Sequence, residues 1–183
     1  TKLASDKLFI AGNNYVGKGQ TKFSIVRYGN VIGSRGSVIP FFLQLKKENK
    51  QITITDKKMT RFFTSLEDAV KMVWTGIKVM QGGEVFVLKN PSIKILDLAK
   101  VIDDKPIKEI GIRPGEKIDE VLITKDNKNV YELKDHFVIL PEFKFWTKKK
   151  FELQTKGKKV TLDYNSLNNK EMINITQFKK IFK

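Results

Sequence analysis

RYGNVIGSRGSVIP, residues 27–40, is the stretch from which the fold of this 183-residue chain can be argued. The apolar run at 23–26 leads into it and predicts a short buried strand. Three glycines then punctuate the stretch, after which four apolar residues recur at helical spacing: Val38, Ile39, Phe42 and Leu45. The pattern predicts a strand, a polar loop at its carboxyl end, and a helix. In an open α/β sheet ligands bind at such a loop, and an ordinary sharp connection is the alternative that the pattern leaves open.

This stretch resembles the corresponding segment of extended short-chain dehydrogenase/reductases that act on nucleotide sugars. Their usual form is Arg-x-x-Asn-Val-x-Gly after the sixth strand, and residues 27–33 match it. The continuation Gly-Ser-Arg-Gly-Ser is similar to that of the inverting UDP-N-acetylglucosamine 4,6-dehydratases. The resemblance continues in ITDKKMTRFFTSLEDAV, IGIRPGEKIDEVLI and DYNSLNNKEMINITQF, so it covers essentially the whole chain.

The resemblance implies an α/β fold, namely the carboxyl-terminal part of a Rossmann-like extended short-chain dehydrogenase/reductase with its substrate-binding region. No G-x-G-x-x-G fingerprint occurs in the sequence. The N-terminal nucleotide-binding half is therefore expected to be absent and to be supplied in cis or in trans. We expect a single partial domain over 1–183. In it, 1–50 would hold the last helices and strand of the Rossmann-like core, and 51–183 mainly the substrate-binding region and the tail.

Apolar spacing predicts the remaining elements. The chain is expected to start inside an amphipathic helix, and a capping box at 64–67 precedes another helix. The apolar face of that second helix is expected to lie in the core: Leu66, Ala69, Val70, Val73, Trp74, Ile77 and Met80. Further strands are predicted at 51–56, 84–88, 107–110, 131–133 and 137–140, with helices at 92–102 and 175–181.

The composition argues against several classes of protein. With no cysteine and a single histidine, His136, the chain has neither a disulfide framework nor a multi-histidine metal centre, and a cytoplasmic setting is compatible. The net charge is +15, but only four of the 35 basic residues are arginines. The lysines are spread along the chain, with one dense run at 148–150, which favours a solvated surface over a nucleic-acid groove. No apolar run is long enough to predict a membrane span.

The resemblance also assigns an NADP site. Thr1 and Lys2 match the last two residues of the family's Tyr-Gly-Ala-Thr-Lys, whose Tyr would lie upstream. Residues at i and i+4 share a helix face, so the Lys2 ammonium would lower the pKa of that phenol and hold the nicotinamide ribose. Lys2 is thus the expected catalytic residue, although a lone helical lysine is otherwise only solvated. The expected cofactor contacts are Lys2, Tyr28, Gly29 and Val31.

A second set of residues is assigned by resemblance to a UDP-sugar. Arg61 and Arg113 match the arginines that clamp the diphosphate, and a guanidinium grips phosphate bidentately. Asn30 would donate to the same diphosphate, and Glu116 would accept hydrogen bonds from the ribose hydroxyls. The set is completed by Arg35, which is ambiguous between sugar contact and loop staple, by Val38, and by Thr53 beside the uracil.

Each assignment has a plain structural alternative. Asn30 could simply tolerate a left-handed turn after Gly29, and Arg61 could be a surface arginine. Arg113 and Glu116 could belong to a solvated turn built on Pro114 and Gly115. The sequence departs from the dehydratase pattern at Asp119, where the family usually has His, which weakens any role for that position.

The implied reaction is an internal redox. NADP oxidises the sugar of UDP-N-acetylglucosamine at C4, water is eliminated across C5 and C6, and the hydride returns to C6 to give a 4-keto-6-deoxy sugar. The tyrosine and the elimination acid and base are expected upstream, so this chain should carry the UDP-sugar cradle and be inactive alone. A homo-oligomer is expected at full length. Three alternatives stay open: a non-catalytic split subunit or remnant, a related nucleotide-sugar epimerase, and a basic nucleic-acid module.

Overall fold

The computed structural model describes residues 1–17, 19–143, 146 and 157–181, and the lysine run at 148–150 lies outside them. The chain forms two compact units, each assembled from three separate segments. The first unit comprises Thr1–Tyr28, Glu67–Lys89 and Leu122–Asp163, and the second comprises Gly29–Leu66, Asn90–Val121 and Tyr164–Lys183. Both units contain segments from before and after residue 50, so neither coincides with the predicted division into 1–50 and 51–183. The expected single partial domain stays a prediction.

The elements are mixed α and β, as predicted. The helices are α1 Lys2–Gly12, α2 Val38–Lys47, α3 Leu66–Val79, α4 Ile95–Ile102 and α5 Ile175–Ile181. The strands are β1 Ile25–Arg27, β2 Asn30–Val31, β3 Thr53–Ile54, β4 Thr60–Thr64, β5 Val85–Leu88, β6 Ser92–Lys94, β7 Lys108–Glu109, β8 Val121–Ile123, β9 Val130–Glu132, β10 His136–Ile139, β11 Lys158–Val160 and β12 Tyr164–Asn165. The predicted helix at 92–102 is wrong over its first three residues, because they pair with β4 as strand β6.

The first unit is a five-stranded sheet in the order β1-β5-β10-β9-β11. Strand β1 is parallel to β5, and β10 is antiparallel to both of its neighbours. Val26 faces α3, because a Cβ added at Gly76 of that helix would lie 3.5 Å from Val26. The next residue, Arg27, donates from Nε to Asp6 Oδ2 of α1 at 2.9 Å. Successive strand residues point to opposite faces, so α1 and α3 cover opposite faces of this sheet.

The face that α3 buries differs from the predicted one. Ala69, Met72 and Gly76 are buried against the sheet. Five larger residues of the predicted core face are exposed instead: Leu66, Val70, Val73, Trp74 and Ile77. The prediction that the Trp74 side of α3 lies in the core is therefore wrong. Small side chains let the helix approach the sheet closely, and the apolar stripe beside them has no partner in the described part of the chain.

The second unit has its core between three helices and short strands. Ile39 and Phe42 of α2, Leu98 of α4 and Phe178 of α5 share one buried cluster. Its sheets are β2-β4-β6, with β2 and β4 parallel, and the parallel pair β3-β7. The turn between β2 and α2 is glycine-rich because Gly33 and Gly36 adopt φ of +74° and +73°, which side chains rarely tolerate.

The described residues offer no helix suited to crossing a membrane and no side-chain cluster suited to holding a metal ion. None of their helices is long and apolar enough to cross a membrane. Within the same ranges, no group of three or more His, Cys, Asp or Glu side chains is arranged to hold a metal ion.

Candidate functional site

The side chain of Asn30 lies in a hydrogen-bonded network where β2 and β4 run side by side. Asn30 is in register with Phe63, and its Nδ2 donates to the Phe62 carbonyl oxygen at 3.0 Å. The same Nδ2 donates to both carboxylate oxygens of Glu120, at 2.9 and 3.0 Å. Glu120 also accepts the Phe62 backbone N–H at 3.0 Å.

These partners fix which way the Asn30 amide points. A carbonyl oxygen and an ionised carboxylate can only accept, so the amide nitrogen has to face them. Both Nδ2 hydrogens are then in use. Donation from Asn30 to a diphosphate oxygen, as predicted, would require Asn30 to leave one of these partners. The predicted role stays a prediction, and the network is an additional finding.

Arg61 is held by the segment that follows the RPGE motif. Its Nη1 donates to the carbonyl oxygens of Thr60 and Ile118, at 2.7 and 3.0 Å, and its Nη2 donates to that of Lys117 at 2.8 Å. Its Nε lies 3.8 Å from Glu120 Oε1, and the side chain is only 16% exposed. The Arg61 guanidinium therefore holds residues 117–118 against β4. Its predicted contact with a phosphate stays a prediction.

Arg113 and Glu116 share one tight turn. The Glu116 N–H donates to the Arg113 carbonyl at 3.0 Å, and the Arg113 N–H donates to Glu116 Oε2 at 3.3 Å. Glu116 Oε1 accepts the Thr55 hydroxyl at 3.3 Å. The Arg113 side chain is exposed, and its guanidinium makes no hydrogen bond or ion pair to the residues the structure describes. The turn thus carries one cation and one carboxylate, and the cation is available to a ligand.

The other predicted substrate residues have plainer surroundings. Arg35 is exposed in the turn between Gly33 and Gly36, and Val38 packs against the buried cluster of the second unit. Thr53 is half-buried in β3, where it pairs with Lys108. The structure brings Asn30 and Arg61 together around Glu120, and Thr55 to Glu116, but shows no contact joining Arg35 or Val38 to these groups.

The predicted cofactor residues belong to different units. Lys2 on α1 and Tyr28 after β1 are in the first unit, and both are exposed, Tyr28 by 41%. Gly29 and the half-buried Val31 are in the second. A Cβ added at Gly29 would lie 2.7 Å from the Phe62 Cβ, so the absence of a side chain there is already explained by packing.

Two functional candidates were missed by the sequence reasoning. Glu120 is the acceptor at the centre of the network, and the buried Ser166 accepts the Glu120 backbone N–H through its Oγ at 2.9 Å. Ser166 Oγ also lies 2.8 Å from Thr60 Oγ1. The one available signal was that Glu120 lies within the quoted segment IGIRPGEKIDEVLI. A single acidic residue in a loop is otherwise indistinguishable from a solvated one.

Tyr164 is the buried tyrosine of the second unit. Its hydroxyl accepts the Asn90 N–H at 2.7 Å and donates to the Asn90 carbonyl at 3.0 Å, and burial raises the pKa of Tyr164 to about 12. A catalytic phenol needs a pKa shifted downwards, towards the working pH. Tyr164 therefore stays protonated and does not replace the tyrosine expected upstream.

Two cavities in the first unit lie away from the predicted site residues. One, of about 490 Å³, lies beside the end of α1 and Gln81. The other, of about 430 Å³, lies between α1 and residues 126–128 and 139–143. Neither is lined by any of the predicted cofactor or substrate residues. The candidate site is thus described by its polar contacts.

Comparison with known proteins gives consistent results. Residues 1–141 match the family model described as "Polysaccharide biosynthesis protein". The chain is 49% identical over 178 residues to an inverting UDP-N-acetylglucosamine 4,6-dehydratase of Campylobacter jejuni serotype O:2, covering 92% of this chain and 53% of that protein. It is 34% identical over 187 residues to a UDP-glucose 4-epimerase of Rickettsia canadensis, covering 99% of this chain and 55% of the epimerase.

Among solved structures, the X-ray structure of Pen from Bacillus thuringiensis is similar over 99% of this chain and 56% of that one. The TM-score is 0.85, at 34% sequence identity. The chain thus spans about half the length of the relatives it matches.

Proposed function

The chain belongs to the polysaccharide biosynthesis protein family and is a homologue of inverting UDP-N-acetylglucosamine 4,6-dehydratases, and from this premise we propose that it carries the UDP-sugar cradle of such an enzyme. The complete enzyme would convert UDP-N-acetylglucosamine to a 4-keto-6-deoxy sugar. The observation that carries the proposal is the Arg113–Glu116 turn, in which the Arg113 guanidinium is uncommitted among the described residues and the Glu116 carboxylate accepts the Arg113 backbone N–H. A guanidinium can bind a diphosphate, and a carboxylate can accept hydrogen bonds from the hydroxyls of a ribose.

In the proposed cradle, each side chain would have a different role. Arg113 would contact the diphosphate bidentately, and Glu116, held by Thr55, would accept from the ribose hydroxyls. Arg61 would act mainly by holding residues 117–118, which continue directly from that turn. Thr53, Arg35 and Val38 remain proposed contacts for the uracil and the sugar.

The residues present fit one end of a nicotinamide cofactor. Lys2 offers an exposed ammonium for ribose hydroxyls, and Tyr28 offers a partly exposed ring. The sequence has no glycine fingerprint for the pyrophosphate, so the other end must be held by other residues. When bound, an NADP molecule would supply hydride acceptance and return. Lys2 would hold the ribose and lower the pKa of a tyrosine supplied by the remaining half.

The first unit offers a surface for that remaining half. Strand β1 is the last in its sheet, with no strand on its outer edge among the described residues. On α1, Leu3 and Leu8 are exposed, and on α3 so are Val70, Trp74 and Ile77. The two helices flank this open edge on opposite faces, so a further strand with helices on both sides would cover all three surfaces. The relatives have nearly half of their length to supply such a piece, and we propose it in cis or in trans.

Calorimetry and an activity assay test the proposal. The purified chain should bind UDP, and with UDP-N-acetylglucosamine and NADP it should give no product. Addition of the part of the Campylobacter jejuni dehydratase that this chain does not span should restore formation of the 4-keto-6-deoxy sugar. Turnover by the chain alone, or no binding of UDP, would contradict the proposal.

The assay also separates the alternative functions. A UDP-glucose 4-epimerase, suggested by the Rickettsia relatives, would interconvert C4 epimers without eliminating water. A non-catalytic remnant would bind UDP and remain inactive after the missing part is added.

A further inference from the structure

Glu120 is the acceptor that joins the parts of the proposed cradle in the second unit. Its carboxylate takes hydrogen bonds from the Asn30 amide of β2 and from the Phe62 N–H of β4, and it lies 3.8 Å from Arg61 Nε. One charged group therefore contacts two of the predicted substrate residues directly.

Two hydrogen bonds to Ser166 hold the backbone of Glu120 and so restrict where its carboxylate can lie. The Glu120 N–H donates to Ser166 Oγ, and the Ser166 N–H donates to the Glu120 carbonyl, both at 2.9 Å. Ser166 is fully buried and also bonds to Thr60 of β4. Glu120 thus belongs to the packed part of the unit, although it follows an irregular segment.

A fixed acceptor has a definite effect on an exposed asparagine. The last torsion of an asparagine side chain is broad, so an unpartnered amide at Asn30 would sample many orientations. Two acceptors, Glu120 and the Phe62 carbonyl, confine Nδ2 to one side and leave Oδ1 on the other. Freezing this rotation before a ligand arrives removes part of the entropic cost of binding.

We propose that Glu120 is the positioning residue of the cradle: it holds Asn30 Nδ2 so that Oδ1 faces the UDP-sugar as an acceptor for a ribose hydroxyl or the uracil N–H, and not as a donor to the diphosphate. This rests on the proposed function. Glu120 contributes to UDP affinity through Asn30, and not by touching the nucleotide itself. A merely structural role would instead lower UDP affinity by the same factor whether or not Asn30 is present.

A double-mutant cycle on the full 183-residue chain tests the proposal. UDP dissociation constants are measured for the parent, Glu120→Gln, Asn30→Ala and the double variant. Glutamine keeps the shape, but one of its terminal atoms becomes a donor. At the Oε1 position it would face Asn30 Nδ2 and Arg61 Nε, and at the Oε2 position Asn30 Nδ2 and the Phe62 N–H. We expect Glu120→Gln to weaken UDP binding about tenfold in the parent and less than about twofold in the Asn30→Ala chain. Glu48→Gln removes an equivalent carboxylate, ion-paired with Lys50 at the surface, and is the matched control.

The side-chain amide signals of Asn30 in a ¹⁵N–¹H spectrum provide a reading that does not depend on UDP. Assigned by their loss in Asn30→Ala, they should move in Glu120→Gln and stay in place in Glu48→Gln. Equal losses of UDP affinity in both backgrounds, or unmoved amide signals, would overturn the proposal. If the parent does not bind UDP, the proposed function fails, and the amide signals alone decide about Glu120. Should Glu120→Gln not fold, Glu120→Asp, which keeps the charge on a shorter arm, takes its place in the cycle.

Discussion

Replacing Arg61 and Arg113 separately by lysine should produce different effects, because the structure gives the two guanidinium groups different surroundings. Both substitutions keep the positive charge and remove the planar fork. Arg61 makes three hydrogen bonds to backbone carbonyls of the second unit, whereas Arg113 is exposed without such partners in the described residues. Arg61→Lys should therefore lower stability and UDP affinity together, and Arg113→Lys should lower UDP affinity alone.

The magnitude for Arg61→Lys follows from counting the carbonyls that lose a donor. A lysine ammonium can keep one of the three, and water can replace the exposed bond to Lys117, so one partly buried bond to a charged donor is lost. The carbonyl concerned keeps its second donor, which is the Thr60 N–H for Ile118 and Ser166 Oγ for Thr60. A hydrogen bond to a charged group is worth about 1.5–3 kcal/mol, so the free energy of unfolding should fall by that amount. For a chain of this size the melting temperature should fall by about 3–12 °C. For Arg113→Lys we expect no change in melting and a UDP affinity lower by about tenfold to hundredfold.

Two measurements on the same samples check this prediction. Melting is followed by circular dichroism, and UDP affinity by calorimetry, with Lys47→Ala on the exposed face of α2 as a control that should change neither. The reasoning about Arg61 is wrong if Arg61→Lys melts like the parent. The assignment of the nucleotide site is wrong if both arginine variants bind UDP like the parent.

Three further predictions concern the first unit. Burial lowers the pKa of His136 below its ordinary 6.5, and its Nε2 has no partner in the described residues, so the unfolded chain takes up the proton first as the pH falls. Stability should drop below about pH 6.5 by at most about 1.4 kcal/mol per pH unit. Urea unfolding between pH 5 and 8 should show this slope, and His136→Gln should remove it; a slope that persists in the variant contradicts the assignment. Glu84 is fully buried and accepts from Ser24 Oγ and from two backbone N–H groups at 2.7–2.8 Å. Glu84→Gln should therefore cost about 1–3 kcal/mol in urea unfolding, an exposed Glu142→Gln should cost almost nothing, and equal midpoints would refute the argument. Trp74 should become buried when the missing half is added, so with Trp146→Phe its fluorescence emission should shift to the blue; restored activity without that shift would place the docking surface elsewhere.

Much of the fold was predictable because the relevant signals are local. Helical spacing after the glycine-rich turn predicted α2, and alternating or apolar runs predicted β5 and β10 within a residue or two. The glycines of the deciding stretch reflect backbone constraints, two from positive φ and one from close packing on Phe62. Constraints of this kind act within a few residues and therefore leave a pattern in the sequence.

Burial of α3 was mispredicted because amphipathicity does not identify a partner. Its apolar stripe is real, but small Ala69 and Gly76 allow close packing on the sheet, and the larger stripe beside them stays exposed. The period of a helix shows that one face is apolar. Which face is covered depends on the sheet it meets, and that sheet joins strands from positions 25 to 160.

The family was thus identifiable from the sequence by resemblance, and most helices and the longer strands by their hydrophobic period, while the nucleotide-sugar residues stay predictions. Only the tertiary structure showed that Arg61 donates to backbone carbonyls and that Glu120 accepts hydrogen bonds from the Asn30 amide. Residues 30, 61 and 120 are far apart in the chain and meet because β2 pairs with β4 while Ser166 anchors the segment that ends at Glu120. Hydrogen bonds between such distant positions depend on strand register and on the path of a loop, neither of which has a period that a sequence can display.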